Sequence, residues 1–125
     1  MALERPRIAK PEGDIPFELV VEDVLVGDGD EATKGSKVAV HYVGVSFSTG
    51  EEFDASWNRG QPFKFQLGKG SVIKGWDQGL VGIKPGGRRE LIIPPKLGYG
   101  ATGRPPSIPP NATLVFIVDA LSVGK

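Results

Sequence analysis

The sequence predicts an α+β domain, an antiparallel sheet of five or six strands with one short helix covering its apolar face. Two observations carry this. β-Branched and aromatic runs recur between clusters of glycine, proline and acids, and in one of them Phe63, Phe65 and Leu67 alternate with polar residues, so one face of that strand is buried. Only SVIKGWDQGLVGI changes period, with Ile73, Trp76, Leu80 and Ile83 three to four residues apart, as on one side of a helix.

Residues 1–16, MALERPRIAKPEGDIP, mix three prolines with alternating charges, and read as an N-terminal extension outside a domain of residues 17–125. FELVVEDVL is the first strand and ends at the turn-forming GDGDEATKG; KVAVHYVGVSF is the second. After the STGEE turn come the short EFDAS, the loop WNRGQ and the strand FKFQL. In the helix that follows, Gly75 and Gly79 each cost about 1 kcal/mol relative to alanine. The helix must therefore be short and held by packing its stripe on the sheet. KPGG turns the chain into the strand RRELIIP. The loop GYGATGRPPSIPPN, half glycine and proline, then leads to ATLVFIVDALSV, an apolar strand suited to a sheet centre.

A chain of 125 residues is the size of one domain that buries a core without staples. Fifteen basic residues balance fifteen acidic ones without a long like-charge run, so neither nucleic acid nor an anionic membrane is an expected partner. The absence of cysteine excludes a disulfide framework, a thiolate zinc site and a cysteine nucleophile. No apolar run reaches the ~20 residues of a membrane helix. MALERPRIAKPEG also lacks the apolar stretch of a secretory signal, and a soluble cytoplasmic protein is expected.

Three motifs suggest chemistry that their surroundings do not support. GYGATG at residues 98–103 has the spacing of a dinucleotide loop, but RPPSIPP follows where a phosphate-binding helix would begin, and proline removes the amides such a site needs. GDGDEATKG offers Asp28, Asp30 and Glu31 without the distant glutamate of a calcium loop, and reads as a solvated turn. His41 is the only histidine, so a metal site lacks ligands; a strand histidine hydrogen-bonded locally is expected, and no hydrolase triad. No metal and no cofactor are therefore expected. The aromatic residues remain. Several sit at element ends or beside turns, Phe53 before an aspartate, Trp76 on the helix and Tyr99 in a loop, where they can line a pocket for a small molecule or peptide rather than serve only as core.

The segments VAVHYVG, EFDAS, PFKFQLGKGSVIKGWDQGL and GYGATGRPPSIPPNATLVF closely resemble the FKBP-type peptidyl-prolyl cis-trans isomerases, in order from about Phe17 to Val123. The resemblance implies a half-barrel, the sheet wrapped around the helix with an active cleft between them. It implies Trp76 as the floor of that cleft, Tyr42, Phe63 and Phe116 as aromatic walls, and Val72 and Ile73 at the rim, where the Ile73 N–H donates to a ligand carbonyl. Phe53 is implied as a further wall and Asp54 as a buried polar group beside it. Tyr99 is implied as a hydroxyl donor to a carbonyl, and Ile108 as packing beside a proline ring under the glycine- and proline-rich flap. Asp54, Tyr99, Ile73 and Trp76 are the implied catalytic residues.

The implied activity is rotation about X–Pro bonds of polypeptides in aid of folding. The implied agent is a cofactor-free monomer that also binds macrolides such as tacrolimus and rapamycin. A non-catalytic docking module of the same fold is the alternative. Asp54 has two readings: it orders the pocket through Tyr42 or Arg59, or it helps a twisted amide electrostatically. Arg104 and Ser107 make the flap more polar than is usual in the family, and neither a chaperone insert nor a histidine-rich tail is present.

Overall fold

A computed structural model describes residues 4–8, 11, 13–104 and 107–124. The strands are β1 (Val20–Leu25), β2 (Lys37–Ser46), β3 (Glu52–Ala55), β4 (Phe63–Gln66), β5 (Arg88–Ile93) and β6 (Leu114–Gly124), with the helix α1 (Lys74–Gly79) between β4 and β5. The sheet runs β1-β5-β6-β2-β3, every pair antiparallel, and β4 shares the outer edge of β2 with β3. The most apolar run, β6, takes the middle of the sheet, where both faces are covered and no polar alternation is needed.

Strands β3 and β4 are two parts of one edge. Val43 pairs with Ala55 and Val40 with Phe63, so residues 56–62 loop out between them and form a short 3-10 turn at Ser56–Arg59. This excursion carries Arg59 back over the sheet end.

Alternation along β2 and β6 sends Val38, Val40, Leu114, Phe116 and Val118 into the main core with α1. Val43, Val45 and Val115 go to a second apolar cluster. The helix is shorter than its periodic stretch. Trp76, Leu80 and Ile83 are buried as the stripe requires, but Ile83 is reached by a turn after the helix has ended. Gly75 and Gly79 now have a reason. A Cβ on Gly75 would lie 2.6 Å from Ile93 Cγ2 and one on Gly79 2.8 Å from Leu91 Cδ2, so the helix rests directly on β5 only with glycine at both places.

Residues 4–8, which composition places outside the domain, cross the second apolar cluster. Ile8 packs there with Trp57 and Ile92, Arg88 donates to the Glu4 carbonyl, and Arg5 pairs with Glu52 and donates to Asn58 Oδ1 at 2.6 Å. A sheet with two apolar faces must cover both. One isoleucine and two arginine contacts do so here, too few residues to register in composition. Ile8→Ala is expected to lower stability by about 1–2 kcal/mol in urea unfolding while leaving the inner face unchanged. The first strand begins at Val20 rather than Phe17, and all six of its residues are exposed.

Candidate active site

Between α1 and the inner sheet face lies a cavity of about 240 Å³, lined by Tyr42, Phe53, Asp54, Phe63, Ser71, Val72, Ile73, Trp76, Tyr99, Arg104 and Phe116. It contains nine of the ten side chains singled out from the sequence. The tenth, Ile108, lines the adjoining cleft with Phe53, Asp54, Arg59, Tyr99, Arg104 and Ser107.

The floor comes from the first turn of α1. Trp76 is 4% exposed, and its ring stands edge-to-face with Tyr42 at 5.0 Å and Phe116 at 5.3 Å, with Phe63 at 6.1 Å. Such perpendicular contacts are the favoured geometry of aromatic pairs and hold the ring in one orientation. The buried indole N–H donates to no group among the described residues. Phe53 meets Phe116 at 5.4 Å and 87°, and both rings rest on Gly44 of β2.

At the rim a closed polar triangle forms. The Tyr42 hydroxyl donates to Asp54 Oδ2 at 2.5 Å, Arg59 Nη1 donates to Asp54 Oδ1 at 2.9 Å, and Arg59 Nη2 donates to the Tyr42 oxygen at 2.9 Å. The excursion between β3 and β4 makes this possible. The Asp54 side chain is 44% exposed, not buried as the resemblance implies, because it stands on an edge strand beside a bulge.

The helix start fixes a donor. The Ile73 carbonyl accepts from the Trp76 and Asp77 amides at 3.0 and 3.2 Å, while no described residue accepts from the Ile73 N–H, and Ile73 is one of the residues that line the cavity. Asp77 in turn accepts from the Gly68 and Gly70 amides at 2.8 and 2.9 Å and fastens the preceding loop. The arrangement is a hollow with aromatic walls and polar groups at its mouth, able to seat a compact ring flanked by carbonyls.

The sequence profile of the FKBP-type peptidyl-prolyl cis-trans isomerase family matches residues 29–121. The chain belongs to this family. It is 56% identical to the FK506-binding protein of Streptomyces anulatus over 98% of this chain and 100% of that one. To the probable FK506-binding protein of Corynebacterium glutamicum it is 51% identical, over 96% and 99%. The crystal structure of AtFKBP13 superposes with a TM-score of 0.78 at 42% identity, over 83% of this chain and 91% of that one. The predicted α+β half-barrel is thus the observed fold.

In this FKBP-type domain the flap folds back on itself. Arg104 and Ile108 exchange backbone hydrogen bonds of 2.8 and 2.9 Å, and the Arg104 guanidinium lies 6.0 Å from the Tyr99 ring. Pro105 and Pro106 lie outside the described residues. Gly100 and Gly103 take left-handed φ of 63° and 68°, whereas Gly98, at −115°, does not. A Cβ on Gly103 would also sit 2.6 Å from the Ile108 carbonyl oxygen.

His41 is bonded locally, as expected, but it does meet a serine. Its Nδ1 lies 2.8 Å from Ser56 Oγ and its ring stacks on Trp57 at 4.3 Å. Ser56 is fully buried and its oxygen accepts the Tyr42 amide at 2.7 Å, so the pair fastens the turn and presents no nucleophile. Among the described residues no cluster of three or more metal-ligating side chains occurs. Ser71 was not singled out; only its place immediately before Val72 and Ile73 could have marked it.

The triangle has a definite charge state at neutral pH. Burial would raise the Asp54 pKa, but the hydrogen bonds from Tyr42 and Arg59 outweigh it and hold the carboxyl below its ordinary 3.8. Burial first, and then the bond to Asp54, push the Tyr42 hydroxyl above 10.0. A carboxyl lowered on folding contributes stability that is present above its ordinary pKa and lost as pH falls through the lowered one. The stability that Asp54 contributes is therefore expected to be constant from about pH 5 to about pH 9 and to fall only in stronger acid, which urea unfolding of the wild type and of Asp54→Asn at several pH values checks.

Proposed function

We propose that this FKBP-type protein accelerates rotation about X–Pro bonds of polypeptide chains by seating the proline ring in the aromatic cavity, without covalent chemistry, cofactor or metal. The supporting observation is the cavity itself. Trp76 forms its base and Tyr42, Phe53, Phe63 and Phe116 its sides, and polar side chains stand at its rim.

Rotation must break amide resonance against a barrier of about 18–20 kcal/mol, and proline is where both isomers are populated. A planar amide has more charge separation than a twisted one. Moving it from water to aromatic surroundings penalises the ground state more than the transition state. The Ile73 amide and the Tyr99 hydroxyl are the donors assigned to the flanking carbonyls. They hold the chain on either side while the bond turns.

Both oxygens of Asp54 are already engaged by Tyr42 and Arg59, which supports its ordering role; its half-exposed place at the rim leaves room for electrostatic help as well. Asp54→Ala is expected to lower turnover more than peptide binding, seen as a larger fall in kcat than rise in KM. Equal losses would leave Asp54 only its structural part.

Assistance to folding and binding of macrolides such as tacrolimus and rapamycin belong to the same reading, supported by relatives whose names record FK506 binding. Cytoplasmic localisation and action as a monomer complete the proposal. A protease-coupled assay on a proline peptide, with and without macrolide, tests the whole. Acceleration abolished by the drug is expected, and tight drug binding with no acceleration would make the protein a docking module instead.

A further inference from the structure

We propose that the outer edge of β1 docks an extended polypeptide segment in which basic residues alternate with apolar ones, added to the sheet as a further strand. The surface lies at the end of the sheet, away from the cavity, and the proposal does not rest on isomerase activity.

Strand β1 closes the sheet and pairs with β5 alone; among the described residues, no group outside β5 exchanges a backbone hydrogen bond with Val20–Leu25. A row of free N–H and C=O groups is a template for strand addition. Apolar side chains gather on the same segment. Of the nine exposed large hydrophobic residues among those described, seven fall between Ile15 and Val26, with Phe17 90% and Val26 74% exposed. Of the usual protections of an edge, Val20–Leu25 has two acids and a bulge at Val24 but neither lysine nor proline, so a strand of opposite charge is not turned away.

Charge selects the partner. Glu22 stands directly opposite Glu90 of β5, a like-charge pair that destabilises a sheet when left uncompensated. The nearby cations are committed elsewhere: Arg88 donates to Asp119 at 2.6 and 2.9 Å, and Arg89 to Asp23 at 2.7 Å. Burial first, and then the charge of Glu22, raise the Glu90 pKa, in keeping with the missing counter-charge. Lysine or arginine on an added strand beside Glu22 supplies it. A second copy does not, because any antiparallel pairing of two whole β1 strands sets the central Glu22 and Asp23 against the same acids.

The test uses the full chain, isotope-labelled, titrated with a dye-labelled peptide alternating valine and lysine and containing no proline, so the outcome is independent of the isomerase assay. Expected are anisotropy-detected binding, amide shifts confined to Val20–Leu25 and β5, and slower exchange of the β1 amides. A peptide alternating valine and glutamate, and a valine–lysine peptide N-methylated at every second amide, should not bind. Glu22→Lys should weaken the valine–lysine peptide by about fivefold. Glu22→Gln, measured alongside it, should weaken it less. Equal binding of the glutamate or N-methylated peptide would overturn the proposal, as would shifts centred on the cavity. Concentration-dependent self-association through β1 would overturn it in favour of a second copy.

Discussion

Trp76→Ala is expected to abolish measurable acceleration of X–Pro rotation and to destabilise the domain by about 3–5 kcal/mol. Trp76 touches Tyr42, Phe63, Phe65 and Phe116, so its removal deletes the surface on which a proline ring would rest and leaves the walls without their common contact. The two effects separate experimentally. Urea unfolding gives the stability loss, and an assay kept well below the unfolding temperature reads the site. Trp76→Leu restores apolar volume without the flat ring, and should regain much of the stability and little of the activity. Full activity in the leucine variant would show that the indole is core and nothing more.

Gly44→Ala is expected to weaken macrolide and peptide binding more than about tenfold, the loss of ~1.4 kcal/mol of contact, and to destabilise the fold by about 1–3 kcal/mol. The added methyl would lie 2.6 Å from Phe53 Cζ and 2.7 Å from Phe116 Cε1. Phe116 is buried in the main core and Phe53 partly buried beside it, so the methyl must displace at least one of these two wall rings and change the shape of the cavity. A macrolide titration paired with urea unfolding reads both effects. Undiminished affinity would mean that the walls do not depend on this glycine.

Much of this was legible in the sequence because the signals were local. Alternation in β4 announced its buried face, and the stripe through Trp76 announced the helix. The helix ended early because Gly79 and the turn to Ile83 let a shorter element bury the same stripe. Of the nine singled-out residues that line the cavity, Phe53, Trp76 and Tyr99 were marked by their places beside turns and element ends, whereas Tyr42, in the middle of β2, and the others followed from the family resemblance. What stayed hidden depended on long-range pairing. Nothing local says that β3 and β4 share one edge of β2, yet that sharing brings Arg59 to Asp54 and leaves the carboxylate half-exposed. Residues 4–8 likewise look like a free extension until the second apolar face they cover is known. Glycine was hardest to read. Gly75 and Gly79 look like weaknesses in a helix, and only the 2.6 and 2.8 Å approaches of β5 side chains show why they are there.

The proposed function seats a proline ring over the Trp76 indole while its peptide bond turns. Exchange NMR of a short X–Pro peptide in the presence of the labelled protein reads both the ring's position and the rate of exchange. Seating the ring should speed cis-trans exchange, move the Trp76 indole N–H resonance, and lose both effects when macrolide is added. Exchange no faster than in the peptide alone, with that indole resonance unmoved at saturating peptide, would contradict it.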